Sequence, residues 1–297
     1  MPMYTVVLTG PYIDPAQDLI TPIIARTGGG EPTELARGTA MEWNLDIDSD
    51  DVDRLLADLR MAVSSCTADL NILPYGRHRR KRLLIADMDS TIIEQECIDE
   101  IATLSGHGEA VASVTERAMR GEIDFEGALA ERVAYLEGLD EEKLEAVVRT
   151  RLKLTLGARI LVQTMAANGA YCALVSGGFT FFTSRIARMV GFHENRANTL
   201  EIADGRLTGR VVPPILGRQA KLDALREIMD AKNIPSRDTL AVGDGANDLD
   251  MIRASGLGVA FRAKPVVAAE AHAQIVHSDL TALLFLQGYR ATDFVGC

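Results

Sequence analysis

The chain has 297 residues, 47% of them hydrophobic and 25% charged, an ordinary globular composition long enough for one large domain or two smaller ones. Its formal net charge of -11 argues against a nucleic-acid partner, which would select a basic face. The same charge repels phosphate compounds at long range, so a phosphate site here must rely on local cations or a metal.

Residues 1–75 read as a separate α+β unit. Tyr4–Leu8 is β-like, Pro15–Arg26 has helical periodicity, and Gly28–Gly30 interrupts it. Thr33–Ile47 suits a hairpin in which Trp43, Leu45 and Ile47 alternate onto one face. Ser49–Val63 places Leu55, Leu56, Leu59 and Val63 on one side of a helix, and Asp69–Leu73 suits a last strand. The order βαββαβ fits a ferredoxin-like sandwich. Pro74–Arg82 (PYGRHRRKR) then marks a boundary, with residues 76–82 a basic linker. Against an acidic total, a solvated linker is the better reading of that cluster than a nucleic-acid patch.

From Leu83 the pattern becomes α/β. LLIAD is short and apolar, as a buried parallel strand should be, and Ala170–Ser176, Thr239–Asp244 and Gly256–Phe261 repeat the theme. Helical stretches at Gly157–Asn168, Phe181–Val190, Gln219–Lys232 and Asp248–Ala254 separate them, so a doubly wound parallel sheet is expected over 83–96 and 152–297. The insertion 97–151 reads as several helices, with Asp124 and Asp140 where N-caps would stand. Its place after the first strand makes it a cap over the carboxyl ends of the strands, where ligands bind in open α/β sheets.

Two acids, Asp87 and Asp89, end the first of these strands, and Asp244 and Asp248 end a later one in GDGAND. Carboxylates crowded this way repel one another, and a hard divalent cation such as magnesium removes the problem with only two or three protein oxygens. Asp is also common as a cap, and a single DxD would be read that way. With a metal present, one aspartate can attack phosphorus and hold it as an acyl phosphate. A carboxylic acid two residues on can protonate the leaving oxygen and later take a proton from water. In Val175–Gly178 (VSGG), Ser176 offers a hydroxyl and the glycines let backbone N–H groups approach an anion at a helix start. Lys221 stands near the start of a helix, against the dipole, which favours a phosphate ligand over a solvated lysine once the other groups are counted.

DMDST, VSGG, a following lysine and GDGAND, in that order across roughly residues 83–280, resemble the four motifs of the haloacid dehalogenase-like (HAD) phosphatase superfamily. The resemblance implies a Rossmann-like HAD core with a helical cap. Because Asp89 is an acid, it also implies phosphate transfer rather than dehalogenation. P-type ATPases share the aspartyl-phosphate chemistry but need membrane helices, and no apolar run here approaches the ~20 residues of a spanning helix. Glu96, Met119, Phe125 and Arg132, with Arg132 two helical turns beyond Phe125, fall in the order and spacing of the phosphoserine phosphatase family. That resemblance implies Asp87 as nucleophile and Asp89 as acid/base. Magnesium would be held by Asp87, the Asp89 backbone carbonyl and Asp244, with Asp248 orienting the site from behind. Ser176, Gly177, Lys221 and Asn247 would bind the phosphoryl group. Glu96 and Arg132 would hold the ammonium and carboxylate of phosphoserine, with Met119 and Phe125 as cap contacts.

The expected reaction is hydrolysis of O-phospho-L-serine in the last step of L-serine biosynthesis. A phosphatase for phosphothreonine or phosphohomoserine is the nearest alternative, since one methyl or methylene discriminates by only ~1–3 kcal/mol. A regulatory amino-acid-binding protein with a relic phosphatase core is another. Some bacterial members of the family carry an amino-acid-binding ACT-like domain, which suits residues 1–75, although a packing or dimerisation module suits them equally. A homodimer is compatible with the sequence. Cys66, Cys97, Cys172 and Cys297 form no CxxC pair, and MPMYTVVLTG lacks the features of a signal peptide, so the cytoplasm is the expected compartment.

Overall fold

The computed structural model describes residues 4–120 and 122–296. Strands β1 (Tyr4–Thr9), β2 (Thr33–Ala36), β3 (Ala40–Leu45) and β4 (Asp69–Pro74) form an antiparallel sheet in the order β2-β3-β1-β4, and α1 (Asp14–Arg26) and α2 (Ser49–Ala62) connect them. Period-two alternation divides this sheet cleanly. Val6, Leu8, Trp43, Leu45, Leu70 and Ile72 pack with Ile20, Ile24, Leu55 and Leu59 of the helices. The opposite face sends Val7, Leu35, Ala40 and Leu73 into the core of the larger sheet.

The second sheet contains β5 (Leu83–Ala86), β6 (Tyr171–Phe179), β7 (Glu194–Ala203), β8 (Arg206–Val212), β9 (Thr239–Gly243), β10 (Leu257–Phe261) and β11 (Ala273–Ile275), in the order β11-β10-β9-β5-β6-β7-β8. All pairings are parallel except β7 with β8. The expected β5, β6, β9 and β10 are present, whereas the β7–β8 hairpin and β11 are additions. Polar side chains in β7 and β8, with Gly209 in β8, hide the hairpin from an apolar-run search.

Helices α3 (Cys97–Leu104), α4 (Gly108–Met119), α5 (Phe125–Ala134) and α6 (Glu141–Thr150) fill the insertion. Asp124 caps α5 by accepting from Gly127 N at 2.8 Å. Asp140 also stands at an N-cap position, but its side chain pairs with Arg206 at 2.9 Å instead. The chain returns through α7 (Ala158–Ala167), α8 (Thr180–Val190), α9 (Arg218–Lys232), α10 (Leu249–Ala254), α11 (Pro265–Ala268) and α12 (Ala282–Leu286). Leu84, Ala86, Leu174 and Val242 pack towards α7, α8 and α12. Leu83, Ile85, Val175 and Ala241 pack towards α9 and α10. A sheet covered on both faces explains why these strands are continuously apolar. The strand order reverses at β5, with β6 on one side and β9 on the other, and the carboxyl ends at such a reversal are where open α/β sheets bind ligands.

The basic stretch after β4 departs from a solvated linker. Arg79 is nearly buried, pairs with Glu42 at 2.7 Å, and donates to the carbonyls of Leu286 at 2.8 Å and Phe285 at 3.0 Å. The Arg80 guanidinium lies 4.1 Å from the centre of the Tyr289 ring, and His78 Nδ1 is 2.8 Å from Asp238. Arg79 thus fixes the stretch to a seam between the two sheets, while Arg77, Arg80 and Arg82 stay exposed as a solvated linker would have them.

Candidate active site

Asp87 follows β5 directly, at the reversal of strand order, and is almost buried. It is pinned from two sides. Oδ1 accepts from Met88 N at 2.7 Å, and Oδ2 lies 2.8 Å from Lys221 Nζ. Lys221 is the fourth residue of α9 and has no exposed surface. Its ammonium also donates to Asp248 Oδ1 at 2.6 Å. Burial alone would lower the Lys221 pKa, but Asp248 and Asp87 outweigh it and hold the ammonium charged.

Asp248 uses its second oxygen to accept from Gly245 N at 3.0 Å, so both oxygens are engaged within the protein. An added Cβ at Gly243 would run into the Asp248 carboxylate, which requires the glycine before Asp244. Asp244 is only half-buried and accepts from Thr91 Oγ1 at 3.2 Å. Burial first, and then the Asp87 and Glu96 carboxylates, push it up to about 7. Ligand atoms of Asp87, Asp244 and Asp248 lie within 4.8 Å of one another. Hard oxygen donors in repulsion suit magnesium. Asp248 has no exposed surface, whereas Asp87 keeps a little and Asp244 is half-buried, so Asp87 and Asp244 are the carboxylates a cation could reach. Asp89 contributes no carboxylate to this cluster.

Asp89 accepts from Cys97 N at 3.2 Å. Burial, followed by the charges of Glu96 and Asp87, holds its carboxyl well above the ordinary range. A carboxyl raised in this way holds its proton more readily and is suited to protonating a leaving group. Ser176 and Gly177 lie on β6, but the strand does not stop there. It continues through Gly178 to Phe179, and α8 begins at Thr180 with no side-chain cap. The VSGG glycines are therefore strand residues rather than the opening of a helix. Gly178 N donates to Ser176 Oγ at 2.9 Å, and a Cβ on Gly178 would stand 2.7 Å from Asp89 Oδ2. The glycine makes room for the acid. Asn247 lies half-buried in the turn after Gly245.

The cap supplies the remaining groups. The Phe125 ring packs over the floor of the cleft, so closely that a Cβ at Gly177 or Gly217 would come within 3.3 Å of it. Glu96, before α3, is exposed, and its Oε1 accepts from Ser90 Oγ at 2.7 Å. Partial burial first, opposed by the Ser90 hydrogen bond, and then the charges of Asp87 and Asp99 push the carboxyl upward, an effect that solvent at this exposed residue screens. Arg132 is partly buried on α5 and donates from Nε to Ala128 O at 3.2 Å. Burial lowers the pKa of its guanidinium, opposed by Asp99, Glu96 and Asp89, so these acids and the arginine share one field. Met119 ends α4, and its side chain lies outside what the structure describes.

Three further residues were not read from the sequence. Ser90 holds φ +54°, an unfavourable conformation for a residue with a side chain, while its hydroxyl reaches Glu96. Thr91 supports Asp244. Asn198 on β7 donates to Gly177 O at 2.8 Å and Leu216 O at 3.1 Å and accepts from Leu216 N at 2.6 Å, tying the Gly177 stretch of β6 to the loop before α9. Ser90 and Thr91 lie inside the quoted DMDST, whereas Asn198 carries no local signal.

A family model described as haloacid dehalogenase-like hydrolase matches residues 84–253. The chain is 47% identical over 221 residues to a phosphoserine phosphatase of Streptomyces coelicolor, covering 74% of this chain and 54% of that protein. It is 42% identical over 245 residues to a phosphoserine phosphatase of Archaeoglobus fulgidus, covering 82% and 71%. The chain thus spans only about half of the Streptomyces relative. Among solved structures, a probable phosphoserine phosphatase from Vibrio cholerae superposes with TM-score 0.79 at 35% identity, over 96% of this chain and 86% of the other. With the Asp87–Lys221–Asp248 geometry in place, these matches converge: the chain belongs to the haloacid dehalogenase-like hydrolases and, within them, to the phosphoserine phosphatase family.

Proposed function

We propose that this protein is a magnesium-dependent phosphatase that hydrolyses O-phospho-L-serine to L-serine and phosphate, the final step of L-serine biosynthesis in the cytoplasm. The observation that carries the reading is the Asp87 carboxylate, held between Lys221 and the Met88 amide, with Asp89 two residues on. Held this way, Asp87 cannot easily turn away from the substrate.

In this reading Asp87 attacks phosphorus, and the bond from phosphorus to the serine oxygen breaks. Asp89 gives its proton to that oxygen, and serine leaves. Asp89 then takes a proton from water as the water attacks phosphorus, which releases phosphate and restores both carboxyl groups. Ser176, Gly177, Lys221 and Asn247 hold the phosphoryl oxygens. Glu96 receives the substrate ammonium, and Arg132 its carboxylate. Phe125 and Met119 close the cap over the substrate and exclude water during the first step. A magnesium ion held by Asp87, the Asp89 backbone carbonyl and Asp244 would neutralise charge on the phosphoryl group. Asp248 orients Lys221. A relic core would have no cause to retain this buried, mutually satisfied set.

We further read residues 1–75 as an ACT-like domain, residues 76–82 as its connection, 83–96 with 152–297 as the catalytic core, and 97–151 as the cap. The strand order β2-β3-β1-β4 with two helices supports the first of these. One face of its sheet lies in the catalytic core, which favours a packing role.

The direct test is phosphate release from phosphoserine, first with magnesium, then with excess chelator, then with magnesium restored. Activity should vanish and return. Full turnover in chelator would refute the metal assignment, and no turnover with magnesium would refute the substrate.

A further inference from the structure

Asn71 is 1% exposed and lies on the face of the first sheet turned towards the second. Its carboxamide does what a neighbouring strand would do. Nδ2 donates to Gln274 O at 3.0 Å, and Oδ1 accepts from Gln274 N at 2.9 Å. Gln274 is the central residue of β11, which has β10 on one side and ends the sheet on the other. Two residues along the same face, Asp69 accepts from the amides of Val276 at 2.7 Å, His277 at 3.1 Å and Ser278 at 2.8 Å. The first unit thereby grips the edge strand with side chains.

That grip continues inward. Gln274 Nε2 donates to Ala268 O, the last residue of α11, at 2.7 Å. Ala268 N donates to Lys264 O at 3.0 Å, and Lys264 N donates to Asp244 O at 3.2 Å. A four-residue helix such as α11 has too few internal hydrogen bonds to set its own position, so outside links decide where it sits.

We propose that Asn71 is a positioning residue: by clamping β11 it sets, through Gln274, Ala268 and Lys264, where Asp244 stands at the candidate active site. The proposal rests on the reading of Asp244 as a magnesium ligand. It gives the first unit a fixed mechanical role in the reaction, distinct from catalysis and from effector binding.

The test uses Asn71→Ala and the milder Gln274→Met in the full chain. Gln274 is partly exposed, and methionine keeps its length while losing the donor to Ala268. Magnesium binding is measured by titration calorimetry, and amide exchange is followed over residues 262–268. Both variants should bind magnesium about three- to tenfold more weakly, the scale at which residues remote from a site modulate it. Exchange at Lys264 and Ala268 should quicken, and KM at saturating magnesium should stay as in the wild type. Wild-type magnesium affinity in both variants would overturn the proposal and leave Asn71 a structural seam. Absence of magnesium binding by the wild-type chain would overturn the metal reading and the proposal with it, an outcome recognised because the parent itself fails.

Discussion

The Lys221 ammonium lies 2.8 Å from the Asp87 carboxylate, and neither side chain is open to solvent to any useful extent. The same ammonium serves Asp248 at 2.6 Å. One buried cation thus compensates two buried anions, and removing it leaves both uncompensated. Lys221→Met should abolish phosphatase activity and destabilise the fold by about 3–5 kcal/mol, the cost of breaking a buried pair from one side. Urea denaturation checks the second part; stability within error of the wild type would contradict the buried-pair account.

Asp89→Asn should fold normally, because the amide preserves shape and can still accept from Cys97 N. Turnover of phosphoserine should fall by about 10²–10⁴-fold, the usual range for lost acid–base assistance. The loss should be smaller for p-nitrophenyl phosphate, whose leaving group departs without a proton. Equal losses on the two substrates would remove Asp89 from the acid role.

Arg132→Ala should raise KM for phosphoserine by about 10–100-fold, as expected for a lost charged hydrogen bond. Phosphoethanolamine lacks the carboxylate, so its KM should barely change. Steady-state kinetics on both esters decide the matter, since parallel changes would mean that Arg132 shapes the cap without gripping the substrate.

Gly178→Ala isolates a steric requirement. The added methyl would stand 2.7 Å from Asp89 Oδ2 and 3.1 Å from Ser176 Oγ, while the backbone at this position carries no positive φ. Activity should drop at least about tenfold with a stability change of about 1–3 kcal/mol or less, the range for modest overpacking. A variant with wild-type kcat/KM would show that Asp89 has room to move without consequence.

Much of the site was legible because its parts are short, contiguous and placed by strand ends. Asp87 and Asp89 follow four apolar residues, and Asp244 follows β9, so one reading of burial and charge puts them together. What escaped depends on partners far away in the chain. Asn198 meets Leu216 18 residues on, and Asn71 meets Gln274 203 residues on. No periodicity records such pairings. The basic run around Arg79 reads as solvated because its acceptors, Glu42 and the carbonyls of Phe285 and Leu286, come from opposite ends of the sequence. The β7–β8 hairpin escaped for another reason: β7 is largely polar, and a hairpin that lies over the cap at Gly138 and Leu139 needs no continuous apolar face. The glycines of VSGG read as the opening of a helix but lie in a strand, since strand and helix start share the same tolerance for a close backbone approach.

The most direct test of the central claim is kcat/KM for phosphoserine with magnesium, beside phosphothreonine, phosphotyrosine, phosphoethanolamine and p-nitrophenyl phosphate. Phosphoserine should lead phosphoethanolamine and p-nitrophenyl phosphate by about two orders of magnitude, because each leaves Arg132, or Arg132 and Glu96 together, unpaired, and it should lead phosphotyrosine because the ring is too large for a pocket closed over a serine side chain. A flat profile across the panel would leave the Asp87–Lys221 chemistry standing and contradict phosphoserine as the substrate this cleft is built to hold.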